Sequence, residues 1–274
     1  MAPNGNSAFD GFESVAAASG PRGFTDIHCH CLPGLDDGPR NMAESLALCQ
    51  AMVKDGIRQI VATPHQLGRF DGRYSAESIR HAVAELNKVL RENEIALTVL
   101  PGADVRLDER IPQLLKSDAV LTVADARQYL LLELPHEVFI DPQGLLERLR
   151  DMGMGVLITH PERRAFLASN PTYVDRWLEF GPGLQITAGS LLGYFGRQSA
   201  EAAKTFLHMD LAVVVATDAH GAEDRFPCMT AAYQWLNQQC GQAVADTVCI
   251  RNPRRAVAGG ELAVTGGGQL KEVG

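Results

Sequence analysis

The sequence predicts an α/β fold, a closed barrel of seven strand–helix units, on three observations. Short apolar or β-branched runs alternate with amphipathic helical segments through the middle of the chain. Seven such units in about 230 residues suit a closed barrel better than an open doubly wound sheet. Polar residues gather at the C-terminal ends of the runs, the end at which strand–helix barrels build their sites.

The runs, in order, are FTDIH, IRQIVATP, ALTVLPG, QYLLLELP, GVLITHP, GLQIT and LAVVVATDAH. The first intervening helix is well marked. Asn41 and Glu44 have capping-box spacing, Leu46, Cys49 and Val53 supply an apolar helical face, and Gly56 suits the C′ position. Further helices are expected over 75–91, 143–152, 172–180 and 197–209. No GxGxxG follows the first strand, which weakens a dinucleotide-binding alternative.

Composition narrows the function. The 274 residues are 46% hydrophobic and 21% charged, with a formal net charge of −8. No Lys/Arg run offers a nucleic-acid backbone its counter-charge, although a local basic pocket is compatible with that total. No apolar stretch reaches the roughly 18 residues of a membrane span, and the start lacks the basic-then-apolar order of a secretory signal. Six cysteines in a chain this long do not read as a disulfide scaffold, which suits a reducing, cytoplasmic setting. Residues 1–22 are aperiodic and read as a disordered lead-in, 23–258 as one barrel domain, and 259–274, with GG and GGG, as a loose tail.

The chemistry lies at the strand ends. Strand one ends in Asp26, His28 and His30, whose period of two places them on one face. The later strands run into His65, Asp104, Glu133, His160, and finally Asp218 with His220. A single buried histidine is more often a hydrogen-bonded core residue than a ligand. Five of the eight histidines at one barrel end, with several carboxylates, form a cluster that would be costly without bound cations. His28, His30, Asp37, His65, Asp104, Glu133, His160, Asp218 and His220 are the candidate ligands, with Asp36 the alternative to Asp37. An ion takes four to six ligands including water, so this set implies two or three divalent ions sharing carboxylates. Imidazole and carboxylate without thiolate suit manganese, iron or zinc.

The stretches DIHCHCLPGLDDGP, VATPH, LLLELP, THPER, TAGSLLGYFG and ATDAH resemble the PHP (polymerase and histidinol phosphatase) family. More narrowly, they resemble its bacterial protein-tyrosine-phosphatase branch, found with capsule and exopolysaccharide synthesis. The resemblance spans residues 24–258. It implies a distorted TIM-like (β/α)7 barrel of the PHP type and manganese-type cofactors. It also implies a substrate, the phosphotyrosine tail of a cognate tyrosine autokinase. The nine residues above match the family's metal-binding positions, and Arg163 and Arg225 match its phosphate-binding arginines. By charge and placement alone, both arginines also read as helix-start or surface residues. One position departs from the pattern: Asp104 stands where the family usually has Glu, one methylene shorter.

A cysteine-dependent phosphatase needs Cys-x5-Arg, and Cys249 with Arg255 has that spacing. The segment between them lacks glycine, and Pro253 removes an N–H from any phosphate cradle. An amidohydrolase would want a lysine at a strand end for a bridging carbamate. Lys54, Lys88, Lys116 and Lys204 fall in expected helices and Lys271 in the tail. A histidinol-phosphate phosphatase would share the metal site, and a non-catalytic metal-binding module is the third reading. Cys29 and Cys31 have the parity of helix-packing residues, and Gly189 and Ser190 read as shaping the turn after strand six.

Overall fold

In the computed structural model, residues 23–136 and 138–265 are described. The expected lead-in over 1–22 and the end of the tail, 266–274, lie outside them. All strand pairings between named strands are parallel, as crossover helices require. Among the described residues the seven strand runs become nine strands because two of them break. The second run yields β2 (Ile57–Ala62) and, after Thr63–Pro64, β3 (His65–Gln66). The third yields β4 (Thr98–Pro101) and, after Gly102–Ala103, β5 (Asp104–Arg106). Pro64 has no N–H for a ladder, and its carbonyl accepts the Asp104 N–H at 3.3 Å where the chain changes sheet.

One sheet is ordered β1 (Phe24–Cys29), β2, β4. The other runs β3, β5, β6 (Tyr129–Glu133), β7 (Gly155–Thr159), β8 (Gly183–Thr187), β9 (Val213–Ala216). The ring joins at the C-terminal end of the strands. There the Asp218 N–H donates to the His28 carbonyl and the His30 N–H to the Ala219 carbonyl, both at 2.9 Å. At the opposite end β4 is an edge, and the turn at Val123–Asp125 packs beside it. This is a TIM-like α/β barrel distorted where β2 and β4 break.

The helices cover the outside. Asn41 caps α1 (Met42–Lys54), its Oδ1 accepting the Glu44 N–H at 3.0 Å, while Glu44 reaches back to the Arg40 N–H at 2.9 Å. Ser75 caps α2 (Ala76–Glu92), and the short α3 (Ile111–Lys116) follows β5. The expected helix over 143–152 is α4 (Gln143–Asp151), followed after β7 by the single turn α5 (Ala165–Ser169). The segment expected to be helical over 172–180 is instead a 3₁₀ run, Pro171–Phe180, entered at a proline. After β8 come α6 (Ala188–Leu191) and α7 (Arg197–His208). After β9 come α8 (Met229–Cys240), α9 (Gln242–Asp246), a π turn and α10 (Asn252–Ala258). Ala256 of α10 joins Ile27, Val61, Val123, Leu131, Leu157 and Val214 in an apolar cluster that fills the barrel below the site.

Two expectations need correction. Asp26, His28 and His30 do not share a face. Asp26 pairs with Ile60 and Cys29 with Ala62, so Ile27 and His28 together oppose Val61: a β-bulge. Ile27 therefore packs in the inner cluster and Cys29 in the outer one. Asp26 turns to β9 instead, accepting bonds from the Thr217 N–H at 3.1 Å and from the Thr217 hydroxyl. The tail, expected loose from Gly259, is pinned through Thr265. Gly259 sits at φ 71° as the C′ residue of α10, and the Asn252 amide clamps Ala263 at 2.8 and 2.9 Å. The Thr265 N–H then donates to the Leu211 carbonyl at 3.1 Å.

Candidate metal centre

All nine candidate ligands converge at the mouth of the barrel. They fall into four overlapping groups: His30, Asp37, His65, His220; His28, His30, Asp104; His28, His160, Asp218; and His65, Asp104, Glu133. Among the described residues no other side chain enters these groups. The His28 and His30 Nε2 atoms lie 3.2 Å apart and face Asp218 Oδ1 at 3.3 and 3.4 Å. Asp104 Oδ2 lies 3.5 Å from His65 Nδ1, 3.7 Å from His28 Nε2 and 3.8 Å from His160 Nε2. Asp37 Oδ1 faces His220 Nε2 at 3.4 Å and His65 Nε2 at 3.5 Å.

Outer partners fix the rings. His28 Nδ1 meets Gln185 Oε1 at 2.7 Å, and His30 Nδ1 meets Asp36 Oδ2 at 2.5 Å. Asp36 also accepts the Gly38 and His65 N–H groups, so it orients His30 while its neighbour Asp37 faces into the cluster. Gln185 is a positioning residue that the sequence signals only as a lone amide within the apolar run of β8. At the mouth His160 at φ 33°, Asp218 at 51° and Arg225 at 48° hold left-handed backbone without being glycine. Such conformations cost energy and persist where surrounding structure imposes them.

The electrostatics are those of an unshielded cluster. Burial pulls the His30 imidazole down, but Asp36 and Asp218 outweigh it and push it up to about 10. Burial, aided by the charge on His30, lowers His220 to about 4. Burial would raise Asp104 and Asp218, yet the surrounding histidines, joined at Asp218 by Arg225, hold both well below the usual carboxylate range. The donor set fits divalent cations. Four buried candidate ligand atoms have no hydrogen-bond partner, namely His65 Nδ1, Asp104 Oδ2, Asp218 Oδ1 and His220 Nε2. Buried polar atoms are ordinarily satisfied, so orphans converging on one space form a donor set that divalent cations could satisfy.

The two arginines stand over this cluster. Arg225 Nη2 donates to Asp218 Oδ2 at 2.6 Å, and Arg163 Nη1 donates to the same oxygen. The Arg163 guanidinium lies 4.2 Å from the Phe195 ring centroid, which fixes its plane. Behind it, the buried Glu162 accepts the Thr187 N–H at 3.0 Å and the Ser190 hydroxyl at 2.7 Å. Ser190 thus lies in α6 rather than a turn and ties β8 to the loop carrying Arg163. Both arginines, with His65, Leu67, Phe70 and Asp218, line an open cavity of about 250 Å³. Arg164, beside Arg163, is a residue the sequence reading passed over: it is 3% exposed and bonded to Glu133 and His160.

Among the described residues, neither the cysteine-based nor the lysine-based rival finds a supporting geometry. Cys249 is buried in the π turn, and burial holds its thiol well above the ordinary value, the reverse of a nucleophile's need. Lys54, Lys88, Lys116 and Lys204 lie in α1, α2, α3 and α7, away from the strand ends.

A sequence model of the capsular polysaccharide synthesis family CpsB/CapC matches residues 24–258. The chain is 37% identical to the tyrosine-protein phosphatase YwqE of Bacillus subtilis over 203 residues, 73% of this chain and 78% of that protein. It is 28% identical to the tyrosine-protein phosphatase CpsB of Streptococcus pneumoniae over 238 residues, 85% of this chain and 97% of that one. Among solved structures, it is similar to one reported for YwqE and CpsB as unique metal-dependent tyrosine phosphatases. The TM-score is 0.84 at 31% identity, over 90% of this chain and 100% of that chain. A lactonase from Listeria monocytogenes, at TM-score 0.51 and 12% identity over 86% of this chain and 94% of that one, shares the fold alone.

Proposed function

The chain belongs to the CpsB/CapC family of capsular polysaccharide synthesis, and on that premise we propose that it is a metal-dependent protein-tyrosine phosphatase. Its substrate in this reading is the phosphotyrosine tail of a cognate tyrosine autokinase. The observation that carries the reading is the conjunction at Asp218. One oxygen is an orphan facing histidines, and the other holds two arginine forks beside an open cavity.

His28, His30, Asp37, His65, Asp104, Glu133, His160, Asp218 and His220 are the residues that would hold two or three ions, with manganese the expected metal. When bound, such ions lower the pKa of coordinated water and offset charge on a phosphoryl group. Arg163 and Arg225 grip the phosphate, since a guanidinium fork matches its oxygens and stays charged throughout. Leu67 and Phe70 give the cavity an apolar wall suited to a phenyl ring. A phenolate leaving group, with a pKa of about 10, needs less proton assistance than an alkoxide.

Among the described residues no helix is long and apolar enough to cross a membrane. All six cysteines are free and five are buried, which suits action in the reducing cytoplasm where a kinase tail would be met. The test sets a phosphorylated tyrosine-rich kinase tail against histidinol phosphate. The tail should be hydrolysed with far higher kcat/KM; the reverse ranking would move the chain to a metabolic phosphatase role.

A further inference from the structure

At the Glu133–His160 corner of the cluster, one buried guanidinium of the chain's own meets two candidate ligands at once. Arg164 Nη2 donates to Glu133 Oε1 at 2.9 Å and lies 2.9 Å from His160 Nδ1. Its guanidinium is walled off from solvent, with Nε and Nη1 buried and lacking hydrogen-bond partners. The second Glu133 oxygen is also held, 3.0 Å from Arg106 Nη1. Glu133 is accordingly absent from the orphaned ligand atoms, whereas Asp104, Asp218, His65 and His220 each contribute one.

Two consequences follow from elementary chemistry. The single charge of Glu133 already has a guanidinium at each oxygen, so a divalent ion gains less there than at Asp104 or Asp218, each of which keeps one oxygen without a partner. The second concerns the tautomer of His160. Arginine only donates, so the Nδ1 it meets must carry the lone pair. A neutral His160 then carries its proton on Nε2, the atom that faces Asp104 and that a metal would need bare. Arg164 therefore opposes ligation by both residues at once.

We propose that Arg164 is a built-in cation at the Glu133–His160 corner, so that this chain holds one divalent ion fewer than its candidate ligands would otherwise bind. The inference rests on the reading of the cluster as a metal centre and selects the smaller of the two ion counts given above. Arg164 acts here as a positioning residue: it touches ligands, not substrate.

The experiment measures metal per chain by mass spectrometry after loading with Mn²⁺ and desalting, with free Mn²⁺ followed by electron paramagnetic resonance during titration. Arg164→Met removes the charge while filling the space, and should retain one more ion per chain than the wild type. Arg164→Lys restores a cation and should return to the wild-type number. In Arg164→Met with Glu133→Gln the added ion should be lost. If Arg164→Met does not fold, as judged by circular dichroism, Arg164→Gln serves instead and should show the same gain. Equal, non-zero stoichiometry in the wild type and the uncharged variant overturns the role of Arg164 and leaves the metal centre standing. No retained metal in either overturns both.

Discussion

Withdrawing the ions should cost measurable stability, and the structure bounds how much. Each buried polar atom left unpaired costs roughly 1–3 kcal/mol, and four candidate ligand atoms are in that condition without ions. An ion that binds only the folded chain stabilises it by about 2.7 kcal/mol when its free concentration is about 100 times its Kd. For a chain of this size, 1 kcal/mol moves the melting temperature by roughly 2–4 °C. One ion at that concentration should therefore raise it by roughly 5–11 °C. The assay is a thermal melt followed by circular dichroism in excess Mn²⁺ and in excess chelator, at matched ionic strength. Ca²⁺ serves as the control cation, since it prefers an all-oxygen shell to imidazole. Superimposable melts in Mn²⁺ and chelator would refute the claim that the orphaned atoms are metal ligands.

Arg163→Ala and Arg225→Ala should keep that metal-dependent melting shift while losing phosphate recognition. Charge-assisted hydrogen bonds contribute about 1.5–3 kcal/mol, so kcat/KM should fall about 10- to 150-fold, in kcat as well as KM. A lost melting shift in either variant would make that arginine part of the metal site instead. Thiol alkylation under native conditions should leave activity intact, because Cys249 is buried; inactivation that tracks modification of Cys249 would contradict the metal mechanism. Asp104→Asn should nearly abolish turnover by removing the shared charge, whereas Asp104→Glu should preserve activity or tighten metal binding. Full rate and metal content in Asp104→Asn would show that Asp104 is not a ligand.

The alternation of apolar runs and helical segments made the barrel legible, because crossover connections leave that pattern in any parallel sheet. Its distortion was partly legible too. Pro64 and Gly102 mark the two breaks, and Gly102 is required where it stands, since a Cβ would come within 2.5 Å of Val61 Cγ1. The bulge at Ile27–His28 was not legible, because it exists only in the register of β1 against β2. Period-two reasoning therefore grouped Asp26 wrongly with the two histidines. Asp36 and Asp37 could not be separated from sequence. Their difference lies in which carboxylate reaches His30 Nδ1, and that is a matter of loop path. Arg164 was missed for a related reason: in THPERR nothing distinguishes the arginine that faces the mouth from the one behind it. The left-handed turn at His160 and the 3₁₀ turn Pro161–Arg163 decide that.

Asp218 links the two halves of the centre, and this shapes how phosphate would be received. Its Oδ1 faces His28, His30 and His220, while its Oδ2 holds both Arg163 and Arg225. Before substrate arrives, the arginines are thus aligned by a carboxylate that mimics part of the phosphate's charge. Binding phosphate replaces one anion with another in the same guanidinium forks, which spares the entropy of ordering two long side chains at that moment. A phosphate would carry more charge than one carboxylate oxygen, so the exchange would favour it while leaving Asp218 free to face any bound ions. The buried guanidinium of Arg164 takes no part in this exchange, because Glu133 and His160 hold it away from the cavity. The two neighbouring arginines therefore do different work: Arg163 is available to a ligand, and Arg164 sets the charge that the ions must meet.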